Sequence, residues 1–188
     1  MIKHTVPLLI GILAFVVHKQ GSSFYRNRVN ESKTTPKVYD IMHKYLPDLS
    51  ASQTLFFVAN IVVFLPIAFG NDVALEYMSY FPLILLARSI FNLVTILPKN
   101  KLCSDDTYGL YNVIFGHCYD KIFSGHFASS VLLSLILYNK GVIKNAWLHV
   151  GFNVANALVI LLLRWHYTID ILVALFVTIV FYQNNIAL

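Results

Sequence analysis

Three short segments carry residues able to do chemistry. The first is Arg164-Trp165-His166-Tyr167-Thr168-Ile169-Asp170. His166 and Asp170 are four apart, so on a helix they share one face, a turn from each other. A carboxylate there can accept the proton on one imidazole nitrogen and fix the tautomer. The other nitrogen is left basic, as in activated nucleophiles. A His–Asp pair buried only for stability would gain little; the plainer alternative is a capped helix start. The second segment is Cys118-Tyr119-Asp120-Lys121-Ile122-Phe123-Ser124-Gly125-His126. Ser124 suits a helix cap, and Gly125 lets backbone approach a ligand. The N–H groups at such a start attract an anion, and His126 lies in that first turn. A capping serine followed by an interfacial histidine is the plainer alternative. The third segment runs from Arg88 to Pro98, and Arg88 lies deep in an apolar run. Guanidinium matches phosphate in a two-pronged way. Glu76 is twelve residues earlier, about 18 Å along a helix axis, so a same-helix bridge is out of reach. That leaves a partner on another helix, or a ligand.

The elements that hold these segments follow from composition. Of 188 residues, 57% are apolar and 12% charged. A soluble domain carries about 25% charged residues. A water-soluble globule is therefore excluded, and the aromatic share excludes disorder. The expected class is all-α: a polytopic membrane protein. A bilayer-crossing helix needs about 20 mostly apolar residues. Candidate spans run over Thr5–Val17, Ser52–Phe69, Val73–Leu97, Ser124–Tyr138, Val142–Leu163 and Trp165–Tyr182. The first is short and basic-flanked; a signal peptide would look similar, but no small-x-small cleavage site follows. Residues 1–50 are expected to form an N-terminal anchor and polar loop, and 51–188 the catalytic domain.

Six spans put the two long polar loops and the Arg164 turn on one side. The fourth and sixth spans then start at the same depth, bringing His126 and His166 to one level. Two histidines, a carboxylate and an arginine there suit a phosphate ester. No metal-ligand spacing is present, so no metal is expected. His149, Asn153 and Asn156, at i, i+4 and i+7 of the fifth span, read as helix-to-helix glue. Cys103 and Cys118 pair only if their loop faces an oxidising compartment.

In these blocks the chain resembles the sphingomyelin synthase family, a branch of the type 2 phosphatidic acid phosphatase (PAP2) superfamily. The resemblance rests on Arg88-Ser-Ile…Thr95-Ile-Leu-Pro98, on Cys118-x-Asp120 with Phe123-Ser124-Gly125-His126, and most specifically on His166-Tyr167-Thr168-Ile169-Asp170. Leu46-Pro47-Asp48 adds to it, so it runs from about residue 45 to the end. It implies a six-transmembrane-helix bundle of PAP2 type. It also implies transfer of phosphocholine or phosphoethanolamine from a glycerophospholipid, phosphatidylcholine or phosphatidylethanolamine, to ceramide, releasing diacylglycerol. His166, oriented by Asp170, would be the nucleophile, and His126 the acid and then the base. Arg88, with Ser124 and Gly125, would hold phosphate; Asp120 and Tyr167 would support the site. No cofactor and no nucleic-acid partner are expected, and there is room for a homo-oligomer. Phe127 stands where the family usually has threonine, and Tyr119 where it has glycine. The phosphatase branch's lysine-to-arginine-proline block is absent.

Lys and Arg in the loops place the long-loop side in the cytoplasm by the positive-inside rule. The family's site faces the lumen or the outside, in Golgi, plasma or other endomembranes. Basic residues around a phosphate site have their own reason to be there, which favours the family's orientation. Two other readings compete: a PAP2-type lipid phosphatase or phospholipase C-like hydrolase, and a non-catalytic lipid-binding relative.

Overall fold

A computed structural model describes residues 9–14, 16–17, 38–95, 97–98 and 121–186. Helices account for the regular structure among them, and no strand occurs. Residues 9–14 and 16–17 are helical. Six bounded helices follow: α1 (Ile41–Tyr45), α2 (Gln53–Ala68), α3 (Asn71–Val94), α4 (Gly125–Asn139), α5 (Ala146–Leu162) and α6 (Thr168–Gln183). Cys103, Cys118 and Asp120 lie outside the described residues.

The cap anticipated at Ser124 forms, and Ser52 and Asn145 cap two further helices. Ser52 Oγ accepts from Leu55 N, Ser124 Oγ from Phe127 N, and Asn145 Oδ1 from Trp147 N. Each satisfies one first-turn donor that the helix itself cannot. The α5 C-terminus closes by a Schellman motif: Trp165 N donates to Ile160 O, and Arg164 N to Leu161 O. The left-handed residue such a motif requires is Arg164, at φ 58°. Glycine is usual there. Arg164 instead tethers its strained backbone by its side chain, Nη2 donating to Leu46 O at 2.7 Å.

Helices α2 to α6 run up and down, with α4 in the middle, packed against the other four. Eleven of its fifteen residues are buried. It is rich in small residues, Gly125, Ala128, Ser129, Ser130 and Ser134, which let neighbouring backbones come close. Tyr77 of α3 meets Ser129 at 2.7 Å, and Asn153 of α5 donates to Ser134 at 2.7 Å while accepting from Ser130. The expected glue role thus falls to Asn153. The His149 ring lies tilted against Tyr138, centroids 5.7 Å apart, and neither amide atom of Asn156 is hydrogen-bonded.

Polarity is distributed inside out. Arg88, Lys121, His126, His166 and Asp170 are buried, whereas Phe57, Ile61, Phe64, Ile67, Met78, Val94, Trp147 and Phe176 point outward. An exposed apolar surface of that extent belongs against lipid or another protein.

Length separates the helices. Among the described residues, only α3, 24 residues long, is both long and apolar enough to cross a membrane. Helices α2, α5 and α6 are apolar but have 16, 17 and 16 residues, and α4 has 15. At 1.5 Å per residue these reach about 22–26 Å, against a hydrocarbon layer of about 30 Å. The described helices therefore establish the all-α class, with one span by length.

Candidate functional site

The N-terminal ends of α2, α4 and α6 meet the C-terminal ends of α3 and α5 at one end of the bundle. His166, Asp170, His126 and Arg88 all lie there and are buried. Two hydrogen bonds join the segment before α4 to the start of α6. His166 Nδ1 lies 2.8 Å from Lys121 O, and Ser124 N donates to Asp170 O at 3.5 Å.

The His166 bond fixes a tautomer. A carbonyl oxygen can only accept, so Nδ1 carries the hydrogen and Nε2 carries the lone pair. Asp170 Oδ2 stands 3.4 Å from the same Nδ1. It also accepts from Tyr167 N at 2.7 Å, turning back on the residue that opens its own helix. Asp170 is fully buried, and its Oδ1 has no hydrogen-bond partner. The structure thus brings the two residues together, but the close partner of the ring is the Lys121 carbonyl. Sequence reasoning missed that acceptor, since every residue has one.

His126 sits in the first turn of α4. Its Nε2 lies 3.2 Å from Asn60 Oδ1 on α2, and its ring centroid is 5.2 Å from that of Trp165. Trp165 immediately precedes His166, so the two imidazoles occupy the same rim. Arg88 reaches across from α3, its Nε donating to Phe123 O at 3.1 Å. A Cβ built on Gly125 would lie 3.5 Å from Arg88 Cδ, Nε and Cζ. The Arg88 side chain therefore packs close against the α4 N-terminus, where helix and cation would act on the same anion. Glu76, excluded above as the partner of Arg88, pairs with Lys140 at 2.8 Å at the opposite end.

Three contributors went unnoticed in the sequence: Lys121, Asp40 and His43. Buried Lys121 donates its ammonium to the carbonyls of Trp165 and Arg164. Asp40 accepts from Thr168 N at 2.6 Å and from Thr168 Oγ1 at 2.9 Å, so the chain's own carboxylate fills the α6 N-terminus. His43 Nε2 lies 3.0 Å from His166 O, and its ring packs on Tyr167 at 5.2 Å. Tyr167 OH in turn donates to Pro98 O. Residues 40–46 thus brace the loop that carries His166.

This brace is sensitive to pH. Burial pushes the His43 imidazole below its usual 6.5, with the charges of Arg164 and Lys121 adding to the effect; Asp40 and the His166 carbonyl oppose it. A ring lowered in the folded state takes up a proton on release. Its contribution is complete above 6.5 and is lost as the pH falls below that value. Burial alone would raise the Asp40 carboxyl, but hydrogen bonds from His43 and Thr168 outweigh it and hold the group below 3.8. Its contribution is present above that value and is lost as the pH falls through the lower folded one. Hydrogen exchange across residues 38–46, corrected for intrinsic rates, should be faster at pH 5.5 than at 7.5. His43→Gln should remove most of that difference; equal protection at both pH values in the parent chain would contradict the account.

Among the described residues, no group of three or more His, Cys, Asp or Glu comes together as metal ligands. The arrangement can do displacement at phosphorus: an imidazole lone pair to attack, a second imidazole to carry protons, and a guanidinium for the charge. Residues 117–186 match the family model described as PAP2 superfamily C-terminal. The match supports membership of the PAP2 superfamily, whose members are typically phosphatases and phosphotransferases and are generally membrane-associated. It takes in Asp120, Ser124, Gly125, His126, His166, Tyr167 and Asp170, and leaves out Arg88. No curated protein matches the chain.

Proposed function

We propose that this chain is a multi-pass membrane enzyme that moves phosphocholine or phosphoethanolamine from a glycerophospholipid to ceramide. His166 Nε2 attacks phosphorus, a nitrogen–phosphorus bond forms, and the bond to the diacylglycerol oxygen breaks. That oxygen takes a proton from His126. The primary hydroxyl of ceramide then attacks the phosphohistidine, giving its proton to His126 and restoring His166. Arg88 holds the phosphoryl oxygens over the α4 N-terminus with Ser124 and Gly125, while Asp120 and Tyr167 support the site. Residues 51–188 form the catalytic domain, and the segment before them anchors and braces it. The six-helix bundle lies in an endomembrane or the plasma membrane, with the site facing the lumen or the outside.

One observation carries the chemistry: the 2.8 Å bond from His166 Nδ1 to Lys121 O, with Asp170 beside it, leaves Nε2 as the attacking atom. The outward apolar surface and the buried charges support the membrane. The choice of ceramide as acceptor comes from the blocks around Arg88 and His166, which resemble the transferase branch, and from the missing phosphatase block. The test is a fluorescent ceramide in vesicles of phosphatidylcholine or phosphatidylethanolamine containing the purified chain. A labelled sphingophospholipid with equimolar diacylglycerol is expected. Diacylglycerol and free phospho-head group without a labelled product would make water the acceptor and the chain a hydrolase.

A further inference from the structure

We propose that Asn60 is a positioning residue that sets the tautomer of His126, so that the proton exchanged with the lipid oxygen passes through His126 Nδ1. The inference rests on His126 being the acid and base of the reaction proposed above.

Asn60 lies in α2, a helix without a charged residue, and is 8% exposed. A buried amide in such a run needs partners. Its amide nitrogen donates to Phe56 O, one turn back, at 2.8 Å. That carbonyl can only accept, so the nitrogen side of the amide is fixed. The oxygen side must then face His126 Nε2, 3.2 Å away. An amide oxygen also only accepts, so Nε2 carries a hydrogen. A neutral ring so held has its lone pair on Nδ1. Trp165, against the ring at 5.2 Å, limits its rotation.

The comparison with His166 gives the inference its content. That ring is held at Nδ1, by a carbonyl with a carboxylate at 3.4 Å, and presents Nε2. His126 is held at Nε2 by a neutral amide. The two rings are gripped through opposite nitrogens. A nucleophile that becomes positively charged as it bonds to phosphorus gains from a carboxylate. A ring that must give a proton and then take one back gains from a holder that favours neither state strongly. Among the described residues, the charged and titratable groups at this end are Arg88 from α3, Lys121 before α4, Arg164 after α5, His166, Tyr167 and Asp170 at α6, and Asp40, His43 and Asp48 from the stretch before α2. Helix α2 supplies none, and Asn60 keeps it so.

The experiment uses the full chain in vesicles of phosphatidylcholine with fluorescent ceramide, measuring turnover, KM, the pH–rate profile and acid-labile phosphohistidine. Asn60→Leu is expected to lower kcat about 100-fold with KM nearly unchanged. Asn60→Asp loses the bond to Phe56 O but keeps the acceptor oxygen toward His126, and should recover most of that turnover. Its carboxylate favours the imidazolium, so the limb of the pH profile set by His126 should move up by about one unit. A parent chain that forms neither phosphohistidine nor any lipid product would sink the functional reading itself. A parent chain that is active, beside an Asn60→Leu variant with parental kcat or an Asn60→Asp variant with a superimposable pH profile, would overturn the role of Asn60 alone. Should the leucine variant fail to fold, the near-isosteric aspartate variant still decides.

Discussion

His166→Ala abolishes turnover in the expected result, by at least about a thousandfold, while the chain stays folded and inserted. The loss is chemical, because the bond from His166 Nδ1 to Lys121 O leaves His166 Nε2 as the attacking atom of the proposed reaction. The fold should survive. The ring accounts for one hydrogen bond to Lys121 O and one approach to Asp170, whereas Asp170 keeps its bond from Tyr167 N, and Lys121 keeps its bonds to Trp165 and Arg164. Removing the ring should cost on the order of 1–3 kcal/mol, the cost of the lost bond and of the space left behind. Two measurements separate the effects: labelled product from fluorescent ceramide, and the melting temperature of the detergent-purified variant. Parental turnover in a folded variant would remove His166 from the reaction.

Asp170→Asn should be nearly as severe in rate and comparable in stability. The substitution keeps the shape and removes the charge. The carboxylate accepts from Tyr167 N and faces His166 Nδ1–H through the same oxygen, Oδ2. An amide can offer its oxygen to these donors only by turning its NH2 to the Oδ1 side, where the carboxylate oxygen has no hydrogen-bond partner among the described residues. Turned the other way, it sets donor against donor. Either orientation leaves a buried polar group unpaired, at about 1–3 kcal/mol. The imidazolium-like charge that grows as His166 bonds to phosphorus also loses its counter-charge. A fall in kcat on the order of a thousandfold is expected, together with a lower melting temperature. Equal rates for Asp170→Asn and the parent would show that the Lys121 carbonyl orients the ring by itself.

What could be read from the chain, and what could not, divides by the kind of atom involved. Apolar runs announced α2 to α6 to within a few residues of their ends, because the burial that forms a helix is written in side chains. Ser124 announced the start of α4, and the four-residue spacing did bring Asp170 beside His166, although His166 lies before the cap Tyr167 rather than on the helix. The helix rise excluded a bridge from Arg88 to Glu76, which pairs with Lys140 instead. Backbone partners were illegible. The carbonyls of Lys121, Phe123 and Leu46, which hold His166, Arg88 and Arg164, have no signature in residue type. Asp40 and His43 were hidden for a different reason: they lie in a polar stretch where charged residues attract no notice. Asn60 did carry a signal, as a lone amide in an apolar run, and was passed over. The count of six spans rested on apolar length, which among the described helices only α3 reaches. Helix α4 is apolar because it is the core of the bundle, and its length is set by its neighbours.

The shortness of α2, α5 and α6 has a consequence for where such a molecule is comfortable. Their apolar lengths match a hydrocarbon layer of about 24–26 Å, thinner than the sterol-thickened plasma membrane at about 32–33 Å. Under the proposed multi-pass reading, hydrophobic mismatch favours thin bilayers, and short-acyl-chain nanodiscs are the natural host for reconstitution.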